Sequence, residues 1–181
     1  IMRRFDAEET LRLIDRHRVN WLFQVPTMMH RIWALPHEIK GRYDVSSLDA
    51  VVHIAAACPP WLKKNWIDWV GAETVWELYT GSEALGGTSI SGTDWLAHPG
   101  SVGRVLPGYE LKVLDEAGQP CAPGQVGEIY FLPQRGRGAT YRYIGAEPQA
   151  KGEVETLGDM GYLDEEGFLY LADRRVDMIG T

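Results

Sequence analysis

Val75-Trp-Glu-Leu-Tyr-Thr-Gly-Ser-Glu-Ala-Leu-Gly-Gly-Thr-Ser-Ile-Ser91 decides how this chain is read. Val75, Trp76, Leu78 and Tyr79 favour a strand, and the residues after them break into a small, polar, glycine-containing turn. Within that turn stand an aromatic ring (Tyr79), a hydroxyl (Ser82) and a carboxylate (Glu83). A strand that ends in such a turn is where open α/β sheets take their ligands. A flat ring can cover a nucleobase. A carboxylate is a hard oxygen ligand suited to Mg²⁺, which accompanies nucleotide phosphates. The same residues would also serve an ordinary strand-to-loop junction.

Upstream, Asp6 followed by Glu9 marks a helix start, and the periodicity predicts an amphipathic helix over 7–18. Val19 to Val25 predicts a buried strand, and Pro26 suits the first turn of a helix over 27–35. A polar loop is expected over 36–47. Leu48 to Ala57 predicts a second central strand running into three alanines. Pro59-Pro60 then opens a third helix, with Leu62, Trp66, Trp69 and Val70 inward and Gly71 at its end. Strand alternating with helix predicts a parallel α/β layer over 1–94.

Downstream, the residues alternate in short runs between Gly/Pro turns: 101–105, 109–114, 126–132, 160–163 and 168–171. Asp115-Glu-Ala-Gly118 and Asp164-Glu-Glu-Gly167 read as hairpin turns. An antiparallel, barrel-like β subdomain is therefore expected over 95–181, with a mobile, Gly-rich polar segment at 133–158.

Composition bounds the function. The 181 residues are 45% hydrophobic and 24% charged, ordinary for a soluble globular protein. A formal net charge of -7, with Arg3-Arg4 and Arg174-Arg175 as pairs rather than patches, argues against a nucleic-acid partner. Cys58 and Cys121 have no metal-ligand or redox spacing, which fits a reducing cytoplasm. No apolar run reaches membrane-spanning length. Of the histidines, His30 reads as a helix-surface residue, His53 as a hydrogen-bonded core residue and His98 as a turn residue. None has a Ser or Cys partner suggesting a nucleophilic triad. Ile1 and Thr181 both read as cut ends, so a fragment is expected.

A series of motifs then falls in order. Val25-Pro-Thr-Met-Met29, Ala55-Ala-Ala-Cys-Pro59, Tyr79-Thr-Gly-Ser-Glu83, and Gly100-Ser-Val-Gly103 with Pro107-Gly108 are followed by Pro123-Gly-Gln-Val-Gly-Glu-Ile129, Gly158-Asp-Met-Gly-Tyr-Leu-Asp-Glu-Glu-Gly167 and Asp173-Arg-Arg-Val-Asp-Met-Ile179. Together they resemble the central part of an adenylate-forming (AMP-binding) enzyme, of the superfamily of acyl-CoA synthetases, luciferases and peptide-synthetase adenylation domains. Acyl-CoA ligases are the nearest in kind.

The resemblance implies an ATP-dependent acid–thiol ligase. A carboxylate attacks the α-phosphate of ATP, giving an acyl-adenylate and pyrophosphate, and coenzyme A then displaces AMP. It implies ATP/AMP, Mg²⁺ and coenzyme A as cofactors and co-substrates, a small-molecule carboxylic acid such as a fatty acid as partner, a cytoplasmic location, and it leaves room for a homodimer. Carried over by position, Tyr79 stacks on adenine, Ser82 offers its hydroxyl to phosphate, Glu83 ligates Mg²⁺, and Thr80 shares the same turn. Asp159 accepts from the ribose hydroxyls. Arg174 donates to ribose or phosphate through its rigid fork. Ala55, Ala56 and Ala57 let backbone approach the base and the acyl carbonyl.

Bland readings stand beside each role: a turn aspartate, a surface arginine, a capping glutamate, core alanines. Thr80 replaces the family's Gly and is strained if that position needs positive φ. Leu157 and Val176 also depart from the pattern. On the resemblance the chain lacks an upstream phosphate loop and a C-terminal lid, ends at an inter-domain hinge, and is inactive by itself. The alternatives are a non-catalytic nucleotide-binding or scaffold relative, or an amino-acid adenylation domain or luciferase-like oxidase; for the amino-acid version no acidic residue stands between His53 and Ala57 to pair with an ammonium group.

Overall fold

Asp6 starts the first helix, its carboxylate accepting the Glu9 backbone N–H at 2.9 Å, and α1 runs Ala7–His17. The computed structural model describes residues 2–132, 150–151 and 154–174, with only the backbone of Ala150, Lys151, Asp173 and Arg174. Val176 and residues 133–149 and 152–153 of the predicted mobile segment lie outside them.

The described chain forms two compact units: Ile1–Glu77 with Ser91–Pro99, and Leu78–Ile90 with Gly100–Thr181. In the first, β1 (Trp21–Gln24), β2 (Ala50–His53) and the start of β3 (Val75–Thr80) pair in parallel. Helices α2 (Pro26–Trp33), α3 (His37–Lys40) and α4 (Pro60–Val70) connect and cover them, and α5 (Gly92–Ala97) belongs to the same unit. Pro26 and Pro60 sit in the first turns of α2 and α4, where a missing N–H costs no hydrogen bond. Leu11, Ile14, Met29, Ile32, Val51 and Trp66 fill the core, and the Trp66 indole donates to the Met29 carbonyl at 3.3 Å.

Three expectations need correction here. Residues 19–25 do not form a buried strand: β1 is limited to Trp21–Gln24, and Trp21 and Phe23, which share one of its faces, are 56% and 49% exposed and stack on each other. The loop expected over 36–47 contains the single turn α3. The second strand stops at His53, and Ala55–Ala57 form an exposed turn rather than a strand end.

In the second unit, β4 (Gly87–Ser91), β5 (Ser101–Val105), β10 (Leu169–Arg174), β9 (Val154–Leu163), β7 (Gly127–Leu132) and β6 (Glu110–Leu114) lie side by side in that order, and β8 (Ala150–Lys151) adds to β9. The pairings from β5 to β6 are antiparallel, as expected. Both predicted hairpin turns close, with Gly118 N–H to Asp115 C=O at 3.0 Å and Gly167 N–H to Asp164 C=O at 3.1 Å. Residues 154–158, expected to be mobile, are part of β9.

Leu85, Val102, Val113, Ile129, Phe131 and Leu169 make this unit's core, with Tyr79 and Leu157 packed on it. The backbones of β4 and β5 approach so closely that a Cβ on Gly103 would lie 1.9 Å from the Ser89 carbonyl oxygen. A Cβ on Gly87 would meet the Tyr79 carbonyl oxygen at 2.6 Å.

Candidate functional site

The turn that follows β3 is closed from both ends. Thr80 donates its hydroxyl to the Gly86 carbonyl at 2.8 Å, and Leu85, fully buried, plugs the turn into the core. Thr80 is the last residue of β3 and does not have positive φ, so the strain expected of a β-branched residue there is absent. The left-handed residue in this turn is Ala84, at φ 53°. Its methyl group is the smallest side chain that can occupy that region, which limits the cost.

Closure of the turn fixes the side chains that project from it. Tyr79 is half-buried, its ring 6.3 Å from that of Phe131. Ser82 is exposed and Glu83 half-buried. A Cβ on Gly81 would lie 2.7 Å from Glu83 Oε2 and 2.7 Å from Leu157 Cδ1, so the Glu83 carboxylate and Leu157 converge over Gly81. Any side chain at 81 would push them apart.

Leu157 leads to Asp159, and the strand is irregular there on both sides. Against β7, Tyr130 pairs with Thr156 and Glu128 with Met160, so β9 carries extra residues between them. Against β10, Leu171 pairs with Gly161 and Arg174 with Asp159, a second shift of register. Gly158 takes φ 81° at the centre, and its N–H is held by the Thr156 hydroxyl at 2.9 Å. Bulges of this kind bend a strand and re-aim a side chain. The re-aimed Asp159 accepts the Tyr79 phenolic O–H at 2.6 Å, a charge-assisted bond.

Of the expected site positions, Tyr79 therefore meets Asp159 directly, Arg174 lies in backbone register with Asp159, and the Glu83 carboxylate lies over Gly81 beside Leu157, two residues before Asp159. Leu157, which the sequence presented only as a departure, supplies apolar packing between the Glu83 turn and Asp159. Ala55, Ala56 and Ala57 belong to the first unit, where Ala55 has φ 76°.

The first unit holds a buried charge cluster that the sequence did not reveal. Lys63, with no exposed surface, donates to Glu77 Oε2 at 2.6 Å and lies 4.9 Å from the centre of the Trp95 ring. Burial pushes Lys63 down and Glu77 up from their ordinary ranges, each opposed by the charge of the other. Cys58 is pushed up to about 12, by burial and then by Glu77, so it offers no thiolate nucleophile. His53 is buried as expected but is not hydrogen-bonded: neither ring nitrogen has a partner.

A cavity of about 470 Å³ opens elsewhere, lined by Leu114, Asp115, Glu116, Val126, Gly127, Glu128 and Met160. It contains none of the expected site residues, and its three carboxylates would repel a polyphosphate. Metal chemistry there would need more ligands: no group of three His, Cys, Asp or Glu side chains suited to a metal occurs among the described residues. A Mg²⁺ ion held by one carboxylate and by substrate phosphates needs no such group, and Glu83 beside Ser82 fits that mode.

The model of the AMP-binding enzyme family matches residues 1–143. A long-chain-fatty-acid–CoA ligase of Bacillus subtilis is 33% identical over 99% of this chain and 32% of its own length. Among solved structures, an amide bond synthetase of Marinactinospora thermotolerans superposes with a TM-score of 0.84, at 26% identity, over 99% of this chain and 36% of that one. The o-succinylbenzoate CoA synthetase of Bacillus subtilis, in complex with its acyl-adenylate intermediate, gives 0.79 at 26% identity, over 97% of this chain and 35% of that one. The same enzyme has also been solved with ATP and a magnesium ion. The chain spans about a third of the length of the relatives it matches.

Proposed function

Because the chain belongs to the AMP-binding enzyme family, we propose that it forms the nucleotide-holding part of an ATP-dependent acyl-CoA ligase, one that activates a carboxylic acid as its acyl-adenylate and passes the acyl group to coenzyme A. The observation that carries this reading is the convergence of Tyr79, Glu83 and Asp159 across 80 positions of sequence, with Arg174 in register beside Asp159. No other described cluster offers an aromatic ring, a hard oxygen donor and a bulge-aimed carboxylate together.

Each residue has a role in this reading. The Tyr79 ring covers the adenine. Asp159, an acceptor when ionised, takes the ribose hydroxyls; the phenolic O–H of Tyr79 holds the carboxylate in orientation beforehand. Arg174 adds a donor on the neighbouring strand. Ser82 donates to phosphate from the exposed lip of the turn. Glu83 holds Mg²⁺, which when bound offsets charge on the phosphates. Pre-set donors and acceptors of this kind act on the charge that builds as the carboxylate attacks phosphorus. Ala55–Ala57 let backbone approach the acyl group. The acid, coenzyme A and a cytoplasmic setting belong to the same proposal. For location the described residues say only that no helix is long and apolar enough to cross a membrane.

The test is AMP titration by calorimetry, together with acid-dependent pyrophosphate release by the intact gene product that carries these residues. Asp159→Asn is expected to weaken AMP binding about tenfold or more, Glu83→Gln to remove the gain in ATP affinity on adding Mg²⁺, and both to reduce turnover. AMP affinity unchanged in Asp159→Asn, with the Mg²⁺-dependent gain intact in Glu83→Gln, would overturn the nucleotide site and favour a scaffold role.

A further inference from the structure

Asp159 follows Gly158, and Gly158 takes φ 81°, a conformation that glycine enters freely and leaves as freely. With no side chain, Gly158 cannot hold the direction of the strand by itself. Around it β9 is out of step on both sides. Against β7, the span from Glu128 to Tyr130 faces the longer span from Met160 back to Thr156. Against β10, the span from Asp159 to Gly161 faces the longer span from Arg174 back to Leu171. The ladder that ordinarily fixes a strand residue is therefore interrupted at the residue ahead of Asp159.

Thr156 stands at the last regular pairing with β7 before the break, opposite Tyr130, and is 5% exposed. Its Oγ1 accepts the Gly158 N–H at 2.9 Å. A hydroxyl that accepts from the amide two residues on closes a compact turn and stands in for a ladder bond. The branched Cβ of threonine restricts it to few rotamers, which keeps the oxygen in place. Leu157, between the two, packs on the core and over Gly81. Holding the Gly158 amide sets the peptide plane from which Asp159 departs. The Tyr79 phenol, at 2.6 Å, then orients the Asp159 carboxylate. One contact aims the backbone and the other turns the side chain.

We propose that Thr156 is a positioning residue of the nucleotide site: its buried hydroxyl, acting through Gly158, sets Asp159 where the carboxylate takes both ribose hydroxyls. The inference rests on the nucleotide-holding reading above and deepens it with a residue that a list of ligand contacts would omit. A carboxylate has about four lone-pair sites, so the Tyr79 bond to Oδ2 leaves acceptor capacity for the ribose. The effect of Thr156 is confined to the part of the ligand that Asp159 reads, the ribose diol, and spares the adenine and the phosphate.

The experiment uses the intact gene product that carries this chain and titrates it with AMP and with 2′,3′-dideoxy-AMP by calorimetry. The unaltered protein should prefer AMP by about tenfold or more, as expected for hydrogen bonds to a charged acceptor. Thr156→Val keeps the shape and removes the oxygen. It should weaken AMP about fivefold and leave dideoxy-AMP within about twofold, so that the preference falls below about threefold. Thr156→Ser restores the oxygen and should return the preference to within about twofold of the original. In an Asp159→Asn background, Thr156→Val should change AMP affinity by less than about twofold, because the group it aims is already altered. Where Thr156→Val does not fold, Thr156→Ala carries the same expectation without setting a methyl group against the Gly158 N–H. A folded variant that weakens both ligands equally, or neither, overturns the positioning role and leaves the nucleotide site standing. Unaltered protein that fails to distinguish the two ligands fails the ribose-binding reading of Asp159, and this inference with it.

Discussion

Tyr79 and Asp159 stand 80 positions apart in sequence, and the phenol of one donates to the carboxylate of the other at 2.6 Å. The bond ties the end of β3, just before the turn, to the bulge in β9, so two separate segments of chain share one geometry. A hydrogen bond to a charged group contributes about 1.5–3 kcal/mol when protected. Both partners here are half-buried, which places it toward the lower end.

Replacing Tyr79 by Phe keeps the ring and removes the O–H. The expected result is a loss of about 1 kcal/mol in urea-unfolding stability, with AMP affinity changed by less than about threefold. Tyr79→Ala removes the stacking surface as well, and affinity should fall by about tenfold or more, since stacking a base on a ring contributes about 1–3 kcal/mol. Titration calorimetry on both variants separates the two contributions.

Glu83→Gln preserves shape and removes charge at a half-buried position. Stability should stay within about 0.5 kcal/mol. AMP binding without Mg²⁺ should persist, while the gain in ATP affinity on adding Mg²⁺ should disappear. Parallel titrations with and without the metal read this directly.

Lys63 and Glu77 test the buried ion pair. Lys63→Met leaves a buried carboxylate without its partner and should cost about 3–5 kcal/mol. Lys63→Met combined with Glu77→Met removes both charges, and most of that loss should return. Chemical denaturation of the two single variants and the double variant completes the cycle; a double variant no more stable than Lys63→Met would rule out the pair as the cause.

His53 links stability to pH. Its folded pKa, about 3, lies below the ordinary value of 6.5. The unfolded chain therefore binds the extra proton first. This contribution is complete above about pH 6.5 and is lost as pH falls toward 3, at up to about 1.4 kcal/mol per pH unit. His53→Gln should flatten the decline between pH 6.5 and 4 in urea titrations of folded protein.

The sequence made some of these features legible and hid others for physical reasons. Asp6 with Glu9, the prolines at 26 and 60, and the two Asp-Glu-x-Gly turns are local signals, and each acts where its residues are. Trp21 and Phe23 misled, because an apolar run does not say which of a strand's two faces is covered. Strand β4 was hidden: its glycine-rich start pairs by close backbone approach rather than by strand-favouring side chains. Helix α5 is a short turn capped by Ser91, too brief for periodicity to mark. At the candidate site, the turn at 79–83 and Asp159 were visible as residue types. The double bulge that aims Asp159, and the unpartnered state of His53, arise only from strand register.

The squeeze between Gly103 and the Ser89 carbonyl has a bearing on how mutational maps of this protein are read. In a saturation library, position 103 would be depleted as severely as any residue that touches substrate, although a hydrogen atom is all it presents. Gly87 would behave alike. Sensitivity to replacement here reports the spacing of two backbones, and only a screen that scores cellular abundance separately from turnover would keep such positions from being mistaken for chemistry.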